Sequence, residues 1–521
     1  MPRAPAGERR GAAAAVAATF AFIAAILLTR AAGAATYHVD AATGDDAHAG
    51  TSPAAAWRSL DAVNRHPPFG SGDAILFKVG TRYAGRLAPA GSGAVVDGRA
   101  VPIVVDVYGG PGPLPRIDAG GAYPEALLLR NVEHWDVRHL ELTNIGPTRE
   151  PWRCGVRVLA DGFGAMRNVR LAGLFVHDVN GDLRKSAEGC GIYFETRGGG
   201  RRGGGGGPAS WFDGLVVEHC RVERTDRNGI CQRAGSRARS KGVAVRDNLL
   251  LDVGGDGIKI WGSDGAVIER NVIRGGRMRC DDAAAGIWPF ASDDTVIQHN
   301  EVSGMRGTLD GQAFDADYGC RRTLIQYNYS HDNDGGFLLV CGPKGAVNEG
   351  AIVRYNVSAN DGSAGGRMIQ MGGASQGAQV YNNTIYVGPG MAGLPLVSFN
   401  DWDGGWAEGA WFANNLFVAA GRVRYRLGRA TGTVFEHNLY AGDHAGRPED
   451  GGAVEMAAGE PDLVKPGAGG DGFLAAGAYQ WRAGAKVPVG VVVPDNGGRD
   501  FFGSPVPPDR PPAVGAHQPR E

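Results

Sequence analysis

Short runs of Val, Ile, Phe and Tyr recur along the middle of the chain, and each run ends at an asparagine. The series begins VRDN, IERN, IQHN, IQYN, and stretches rich in Gly, Asn and Asp separate the runs. The asparagines are Asn248, Asn271, Asn300, Asn328, Asn356, Asn383, Asn415 and Asn438. Their intervals of 23, 29, 28, 28, 27, 32 and 23 residues indicate a solenoid or an array. Because no amphipathic helix of useful length occurs within a period, helical repeats are excluded.

The period also lacks the leucine framework of a leucine-rich repeat and the aromatic blade motif of a propeller. The remaining architecture is a parallel β-helix, in which each period forms one coil of about three strands and coils stack about 4.8 Å apart. Buried asparagines on successive coils would then hydrogen-bond from side chain to backbone along the stack. We therefore expect the asparagine series to lie in one row.

A second alignment predicts which side chains leave the core. The strand that opens each coil reads NGICQR, DGIKIW, AGIWPF, QAFDAD or GGFLLV. The residues predicted to face inward are Ile230, Ile258, Ile287, Phe314 and Phe337. Since side chains alternate along a strand, the next position in each coil turns outward. The predicted outward column is Cys231, Lys259, Trp288, Asp315 and Leu338.

The two ends of the chain differ from the repeat. Residues 35–124 are predicted to form an N-terminal cap and the first coils, in which the segment 37–64 supplies a strand, a turn and a short helix. Coils continue over 125–440, and residues 441–521 form a last coil and a Gly- and Pro-rich tail along the helix. Solenoids need such caps because terminal coils expose unpaired strand edges. The glycine run 198–207 is expected to be a flexible surface loop.

Composition indicates the compartment and the partners. Residues 1–34 place Arg3, Arg9 and Arg10 before an apolar run and a small-residue stretch, which predicts a secretory signal peptide; the alternative is an uncleaved membrane anchor. We expect a secreted or periplasmic monomer with no stable membrane insertion after cleavage. The formal net charge of −2 and the scarcity of Lys beside Arg give no indication of nucleic-acid binding.

Cysteine and glycine usage fit this assignment. The seven cysteines are an odd number and show no CxxC pair, which argues against structural zinc. One or two disulfides are compatible with export, but we expect mostly buried cysteines that act as small hydrophobes. The 85 glycines among 521 residues are expected mainly at coil corners, where tight turns favour positive φ.

The opening YHVDAATGDDAHAGTSPAAAWRSL, coil motifs such as IQHNEVSG and IQYNYSHDNDGG, and the closing PDNGGRDFFGSPVPP resemble one enzyme family. It is the secreted right-handed parallel β-helix family of carbohydrate-active enzymes, the pectate-lyase-like superfamily. The resemblance covers roughly residues 36–518 and implies an all-β, right-handed parallel β-helix. It leaves the reaction open, because the family includes lyases, hydrolases, epimerases and non-catalytic binding proteins.

Acidic residues crowd the turn that leads into the aligned strands. They are Asp226, Asp256, Asp281, Asp282, Asp310 and Asp334, with Asp315 and Asp317 on the strand itself. Like charges on adjacent coils repel, so a cluster persists when it binds a cation, shares a proton or performs acid–base chemistry. The active cleft is therefore predicted between the segments 280–282 and 309–317.

Glycoside hydrolysis is the first mechanism, since it needs one carboxylic acid and one carboxylate and no cofactor. Asp282 and Asp310 are the predicted pair, with Asp315 and Asp256 in reserve. The full set of candidate catalytic residues is Asp282, Asp310, Asp315, Asp281, Lys259 and His331. The candidate substrate-binding residues are Trp288, which would stack on a sugar ring, Asp317 and Arg233. His299 precedes a repeat asparagine and is expected to be structural.

β-Elimination on a uronic-acid polymer is the alternative. Asp256, Asp281 and Asp282 would then hold Ca²⁺, and Lys259 would remove the proton next to the sugar carboxylate. The segment 224–241 would supply a basic rim for the anionic chain. The sequence departs from the calcium lyases of pectate lyase family nine, because Ala285 occupies the region where those enzymes close the double-Asp motif with a further Asp.

A third hypothesis is a non-catalytic β-helix that binds polysaccharide. It predicts polar or aromatic stripes along many coils, whereas the acidic cluster is confined to three or four. The sequence favours an enzyme that cleaves its polysaccharide partner, with hydrolysis ahead of elimination.

Overall fold

The structure is a computed structural model that describes residues 33–200 and 206–519. The predicted signal peptide, residues 1–34, falls almost wholly outside the described residues. Part of the predicted glycine loop, residues 201–205, also lies outside them.

No helix in the described parts of the chain is both long enough and apolar enough to cross a membrane.

Each coil contributes strands to three parallel rows, because short β-favouring runs alternate with turns. Row 1 consists of Thr36–Val39, Ala74–Lys78, Ile103–Tyr108, Trp135–Arg138, Ala165–Ala172, Trp211–Glu218, Ser240–Lys241, Ala244–Arg246, Ser263–Asp264, Val267–Glu269, Val296–Gln298, Leu324–Gln326, Ile352–Arg354, Gln379–Tyr381, Trp411–Ala413, Val434–Glu436 and Asp450–Gly451. Row 2 consists of Arg82–Ala84, Arg116–Asp118, Glu141–Asn144, Phe175–Val179, Arg221–Thr225, Leu249–Val253, Val272–Arg274, Glu301–Ser303, Tyr329–His331, Val357–Ala359, Thr384–Val387, Leu416–Arg426, Leu439–Ala445 and Val454–Met456. Row 3 consists of Glu125–Arg130, Cys154–Asp161, Cys190–Arg197, Asn228–Ala234, Ile258–Trp261, Ile287–Phe290, Gln312–Ala316, Gly336–Gly342, Ile369–Gly373 and Leu394–Asn400.

A few short elements lie outside the rows. They are the antiparallel pair Ala94–Val96 and Arg99–Val101, the parallel pair Asn348–Glu349 and Ser375–Gln376, the α-helix Leu60–Arg65, and the 3₁₀ helices Pro53–Ala55 and Phe473–Tyr479. Nearly all structure is therefore β, as predicted.

The asparagine series forms one continuous ladder at the corner between rows 1 and 2, which confirms the prediction. At a typical rung, the backbone N–H and Nδ2 of Asn300 both donate to Oδ1 of Asn328, at 2.9 and 3.0 Å. The same Nδ2 donates to the carbonyl of Ile268 in the preceding coil. The last rung, Asn438, donates to Asp450. All eight asparagines are buried, so the ladder satisfies polar backbone groups inside the protein.

The residue before each ladder asparagine adopts a left-handed backbone, with φ between 50° and 57°, and none of these residues is glycine. They are Asp247, Arg270, His299, Tyr327, Tyr355, Asn382, Asn414 and His437. The expectation that glycine turns the coil corners is wrong at this corner, because the ladder hydrogen bonds hold non-glycine residues in an unfavourable conformation. The prediction that His299 is structural agrees with its place in this series.

The predicted inward column is buried in the main core, but its last register is wrong by one residue. Phe314 pairs with Leu338, and the N–H groups of Phe337 and Leu338 both bond to the carbonyl of Met368. This local bulge turns both Phe337 and Leu338 into the core. The outward residue of that coil is Leu339, not Leu338.

The N-terminal end of the coil stack is covered by a helix, and the C-terminal segment packs along the side of the stack. The first strand, Thr36–Val39, is followed by the helix Leu60–Arg65, whose Leu60 and Val63 join the main core. The segment after residue 456 runs back along the outside of the coils, where Tyr479 and Trp481 lie in a second hydrophobic cluster. All seven cysteines are free and buried, in line with their expected role as small hydrophobes.

Candidate functional site

The outer face of row 3 carries a pocket of about 310 Å³. Five residues singled out from the sequence line it together: Lys259, Trp288, Asp310, Asp315 and Asp317. The parallel register places them, because Cys231 pairs with Lys259 and Lys259 with Trp288 on successive coils. Of the two segments between which the cleft is predicted, 309–317 lines this pocket and 280–282 does not.

Asp315 and Asp317 form a close carboxyl pair in this pocket. A carboxylate oxygen of each and Sγ of Cys341 all lie within 4.8 Å of one another. The Cys341 thiol donates to Oδ1 of Asp317 at 3.2 Å, and the backbone N–H of Tyr318 donates to the same oxygen at 2.7 Å. Asp317 is less buried than Asp315, which is only 3% exposed.

The two carboxyls differ in acidity. Burial, reinforced by the charges of Asp317 and Asp310, raises the pKa of Asp315 well above its usual range. Burial also raises the pKa of Asp317, but its hydrogen bonds from Cys341 and Tyr318 limit the rise to about 6. Because the two carboxyls lie close together, they titrate as a coupled pair in which burial favours a proton.

Asp310 faces this pair from the loop that precedes the strand Gln312–Ala316. Its backbone is left-handed, with φ of 61°. Burial raises the pKa of the Asp310 carboxyl, while the nearby cation of Lys185 opposes the rise. A carboxyl whose pKa is raised in a pocket is suited to acid–base chemistry.

Two lysines lie against Trp288. The Nζ atoms of Lys185 and Lys259 are 5.0 and 5.6 Å from its ring centroid. Trp288 is only 5% exposed and its Nε1 donates to Asp256 at 3.0 Å. The predicted stacking of Trp288 on a sugar ring is therefore not supported by its packing, because the indole is buried and both lysines lie against it.

Another set of aromatic rings forms a wall along the pocket. Trp261, Phe290, Tyr318 and Trp402 follow one another at centroid distances of 5.1, 5.8 and 5.9 Å. All four are half-buried and line the pocket. Trp402 fits there because Gly372 has no side chain: a Cβ on Gly372 would lie 2.2 Å from the indole. The wall offers the apolar faces on which sugar rings pack.

Lys259 is held in an ion pair that sequence reasoning did not foresee. Its Nζ lies 2.5 Å from Oε2 and 2.7 Å from Oε1 of Glu188, and both side chains are buried. Burial opposes the charge of the ammonium, but the surrounding acidic groups raise the pKa of Lys259 above its usual value. A lysine that stays protonated does not serve as the predicted proton-abstracting base.

Asp282 lies beside the pocket, and both of its carboxylate oxygens contact other groups. Its Oδ1 lies 3.2 Å from the fully buried Arg227, and its Oδ2 accepts from the backbone N–H of Lys185 at 2.8 Å. Asp282 does not line the pocket, so the structure does not bring it together with Asp310 there; the carboxyls that line the pocket with Asp310 are those of Asp315 and Asp317.

The predicted calcium ligands do not converge. Asp256 is fully buried, pairs with Arg227 at 3.1 Å, and accepts from Trp288 and from the backbone of Ala285. Asp281 is exposed. Among the described residues, the groups of three acidic, His or Cys residues whose ligand atoms lie within 4.8 Å do not include Asp256, Asp281 and Asp282. Asp256 instead neutralises the charge of Arg227 beneath the pocket.

His331 lies on row 2, away from the pocket on row 3. It is buried, stacks on Tyr329, and its Nδ1 is 2.8 Å from Asp332. Burial opposes its charge, yet hydrogen bonds with Asp332 and Glu301 raise the pKa of His331 to about 9. His331 is therefore not placed to act as the predicted general acid in the row 3 pocket. Arg233 lines a second pocket on row 3, described below.

Sequence reasoning missed Lys185, Glu188, Cys341 and Trp402. Lys185 and Glu188 precede the strand Cys190–Arg197, so they belong to an earlier coil than the carboxyl cluster. Alignment of equivalent positions on successive coils compares only residues within strands and their immediate turns. It gives no signal for a loop that reaches across several coils.

The geometry supports acid–base chemistry on a sugar. Two carboxyls with raised pKa values, Asp310 and Asp317, and an aromatic wall meet in one pocket. One carboxylate oxygen of Asp315 and one of Asp317 lie within 4.8 Å of each other, closer than the about 6.5–9.5 Å between the carboxyls of an inverting pair. Asp310 supplies a third carboxyl in the same pocket.

Three comparisons with known proteins bear on the fold. Residues 206–385 match the family model described as "Right handed beta helix region". A crystal structure of the GH136 lacto-N-biosidase from Eubacterium ramulus is similar, with a TM-score of 0.60 and 23% identity. It covers 81% of this chain and 68% of that chain. The chain has a right-handed parallel β-helix fold.

Two further known proteins are similar to the chain, one in structure and one in sequence. The structure of XylC in complex with xylose has a TM-score of 0.52 and 11% identity, and covers 93% of this chain and 98% of that chain. In sequence, the chain is 28% identical over 554 aligned positions to the lacto-N-biosidase of Bifidobacterium longum subsp. longum. That alignment covers 87% of this chain but 33% of the relative, so the chain spans about a third of its length.

Proposed function

We propose that the protein is a glycoside hydrolase whose active site is the row 3 pocket. The observation that carries this proposal is that the carboxyls of Asp310, Asp315 and Asp317 and an aromatic wall line one pocket. Burial raises the pKa of Asp317 to about 6 and raises the pKa of Asp310 by a smaller step, so Asp317 is the carboxyl that keeps its proton to the higher pH of the two.

In the proposed reaction, Asp317 donates its proton to the glycosidic oxygen as the bond to the leaving sugar breaks. The Asp310 carboxylate attacks the anomeric carbon or removes a proton from the attacking water. Asp315 acts as a positioning residue, because the raised pKa of its buried carboxyl favours a proton there and so lowers the repulsion on Asp317. No metal ion or organic cofactor enters this scheme.

We propose lacto-N-biosides as the first substrates to examine. The proposal is supported by the sequence similarity to a lacto-N-biosidase, which extends over 87% of this chain and so includes the pocket region. The half-buried aromatic wall is consistent with sugar rings that pack by their apolar faces. Export of the protein as a monomer that acts on extracellular carbohydrate is part of the same proposal.

Elimination is the weaker alternative on the chemistry of the residues present. Lys259 is paired with Glu188, and Asp256 is paired with Arg227. These are the base and a calcium ligand that elimination was predicted to use. Their charges are already balanced within the protein, so neither is free for the predicted role.

A substrate screen tests the proposed function. We expect release of aryl alcohol from an aryl β-lacto-N-bioside, new reducing ends and no rise in ultraviolet absorbance at the wavelength of unsaturated uronates. Activity should persist when a chelator is added. Activity only on uronate polymers, with ultraviolet-absorbing products and loss on chelation, would establish the lyase instead; cleavage of no carbohydrate would leave a binding protein.

A further inference from the structure

A second pocket, of about 780 Å³, lies on row 3 beside the proposed active site. Its lining includes Trp152, Glu195, Arg197, Arg233, Arg237 and Trp261. Trp261 also lines the first pocket and is the first ring of the aromatic wall. The two pockets are therefore consecutive parts of one groove along the helix axis.

The charged groups of this second pocket are mostly arginines, whereas the first pocket holds a cluster of carboxyls. Its charged lining comprises Arg197, Arg233 and Arg237 against Glu195. Arg197 is neutralised by Glu195, with Nε 2.9 Å from Oε1. Within the described residues, Arg233 and Arg237 have no carboxylate within 4.0 Å. Two guanidinium groups are thus available to a ligand.

Arg233 is held in place by an aromatic ring. Its guanidinium carbon lies 4.4 Å from the ring centroid of Trp152, a cation–π contact that fixes the group without neutralising its charge. Glu195 and Arg233 are paired residues on adjacent strands of row 3, so the strand register sets their position. A fixed guanidinium binds a carboxylate or a sulfate in a bidentate manner.

We propose that this arginine pocket is a subsite for an anionic substituent, a carboxylate or a sulfate ester, on a sugar of the chain whose glycosidic bond lies at Asp317. The inference rests on the proposed function in that it places one sugar chain along the whole groove. Three coil steps separate the strand Asn228–Ala234 from the strand Gln312–Ala316, which is about 14 Å along the axis. The anionic group therefore binds at about that distance from the bond that is cleaved.

The two pockets together orient such a substrate. The carboxyl cluster around Asp317 repels an anionic substituent from the first pocket, whereas Arg233 and Arg237 attract it to the second. A charged chain consequently enters in one direction only. A neutral sugar chain lacks the electrostatic attraction to Arg233 and Arg237, so it binds more weakly.

Calorimetric binding to the full chain carrying Asp317→Asn, which prevents turnover, tests the subsite. The probes share one backbone, a tetrasaccharide that carries the proposed lacto-N-bioside unit: its neutral form, a 6-O-sulfated form and a 6-carboxylate form. We expect at least one charged form to bind tenfold or more tightly than the neutral form, with an advantage that shrinks as NaCl is raised. The two charged arms show whether sulfate or carboxylate is preferred.

Adding Arg233→Gln and Arg237→Gln to that protein should reduce the tenfold difference to less than twofold. Arg429→Gln, an exposed arginine on another part of the helix, is the matched control and should leave all affinities unchanged. The subsite is disproved if charged and neutral forms bind equally, if no charged form binds, or if the double arginine variant keeps the preference. Charge-dependent binding by a chain that cleaves no glycoside would retain the subsite and reject the hydrolase.

Discussion

Asp317→Asn and Asp310→Asn are each expected to lower kcat/KM for glycoside cleavage by about 10²–10⁴-fold. Asn at position 317 supplies no proton to the leaving oxygen. Asn at position 310 supplies no carboxylate to act at the anomeric carbon. The exposed Asp281 is the matched control, and Asp281→Asn should leave kcat/KM within twofold of the parent. Full activity in either of the first two variants would remove that residue from the mechanism.

Loss of folding does not account for the expected loss of activity. Because the pKa of Asp317 is raised to about 6 in the folded state, the native protein binds this proton more tightly than the unfolded chain does. Stability therefore falls as pH rises from about 4 to 6, and the ionised group destabilises the fold above that range. Asp317→Asn removes this cost, so its unfolding midpoint at neutral pH should equal or exceed that of the parent.

The same pair sets the pH dependence of the parent enzyme. Activity should rise as Asp310 ionises, and fall through about pH 6 as Asp317 loses its proton. Initial rates across pH on one aryl glycoside measure this profile. An alkaline limb far above pH 6 would contradict the role of Asp317.

Asn328→Ala is expected to destabilise the protein by about 3–6 kcal/mol, since the change leaves several buried polar groups without partners. Oδ1 of Asn328 accepts from both the backbone N–H and Nδ2 of Asn300. Its Nδ2 donates to the carbonyl of Ile297 and to Oδ1 of Asn356. Each of these groups is buried, and no water replaces the lost amide without a cavity of suitable size.

The midpoint of urea unfolding measures this effect. Arg321→Ala is the control, because Arg321 is exposed and its contact with Glu349 at 3.5 Å is a surface ion pair worth less than about 1 kcal/mol. If Asn328→Ala and Arg321→Ala both unfold at nearly the same urea concentration as the parent, the ladder does not stabilise the stack.

The fold was predictable because one residue type repeats at one structural position. An asparagine recurs every 23–32 residues at the same corner of the coil. This spacing gives the repeat length, and each repeat forms one coil. The register failed only where Phe337 and Leu338 share one acceptor. A bulge adds one residue without changing the hydrophobic character of the strand, so the sequence pattern does not distinguish Phe337 from Leu338 as the partner of Phe314.

The site was predictable in part. Lys259, Trp288, Asp310, Asp315 and Asp317 came from equivalent positions on stacked coils, and the structure places all five in one pocket. Their roles depend on contacts with other segments that the repeat does not encode. Glu188 pairs with Lys259 from an earlier coil, and Arg227 draws Asp282 away from the pocket.

Cleavage in ¹⁸O-labelled water, followed by mass spectrometry of the products, tests hydrolysis most directly. Hydrolysis places one oxygen from the solvent on the newly formed reducing end, so we predict a product that is heavier by one ¹⁸O substitution. Asp317→Asn should yield no labelled product in the same time, and unlabelled product incubated alone controls for exchange with water. Unlabelled products that include an unsaturated sugar lighter by one water would contradict the account and establish elimination.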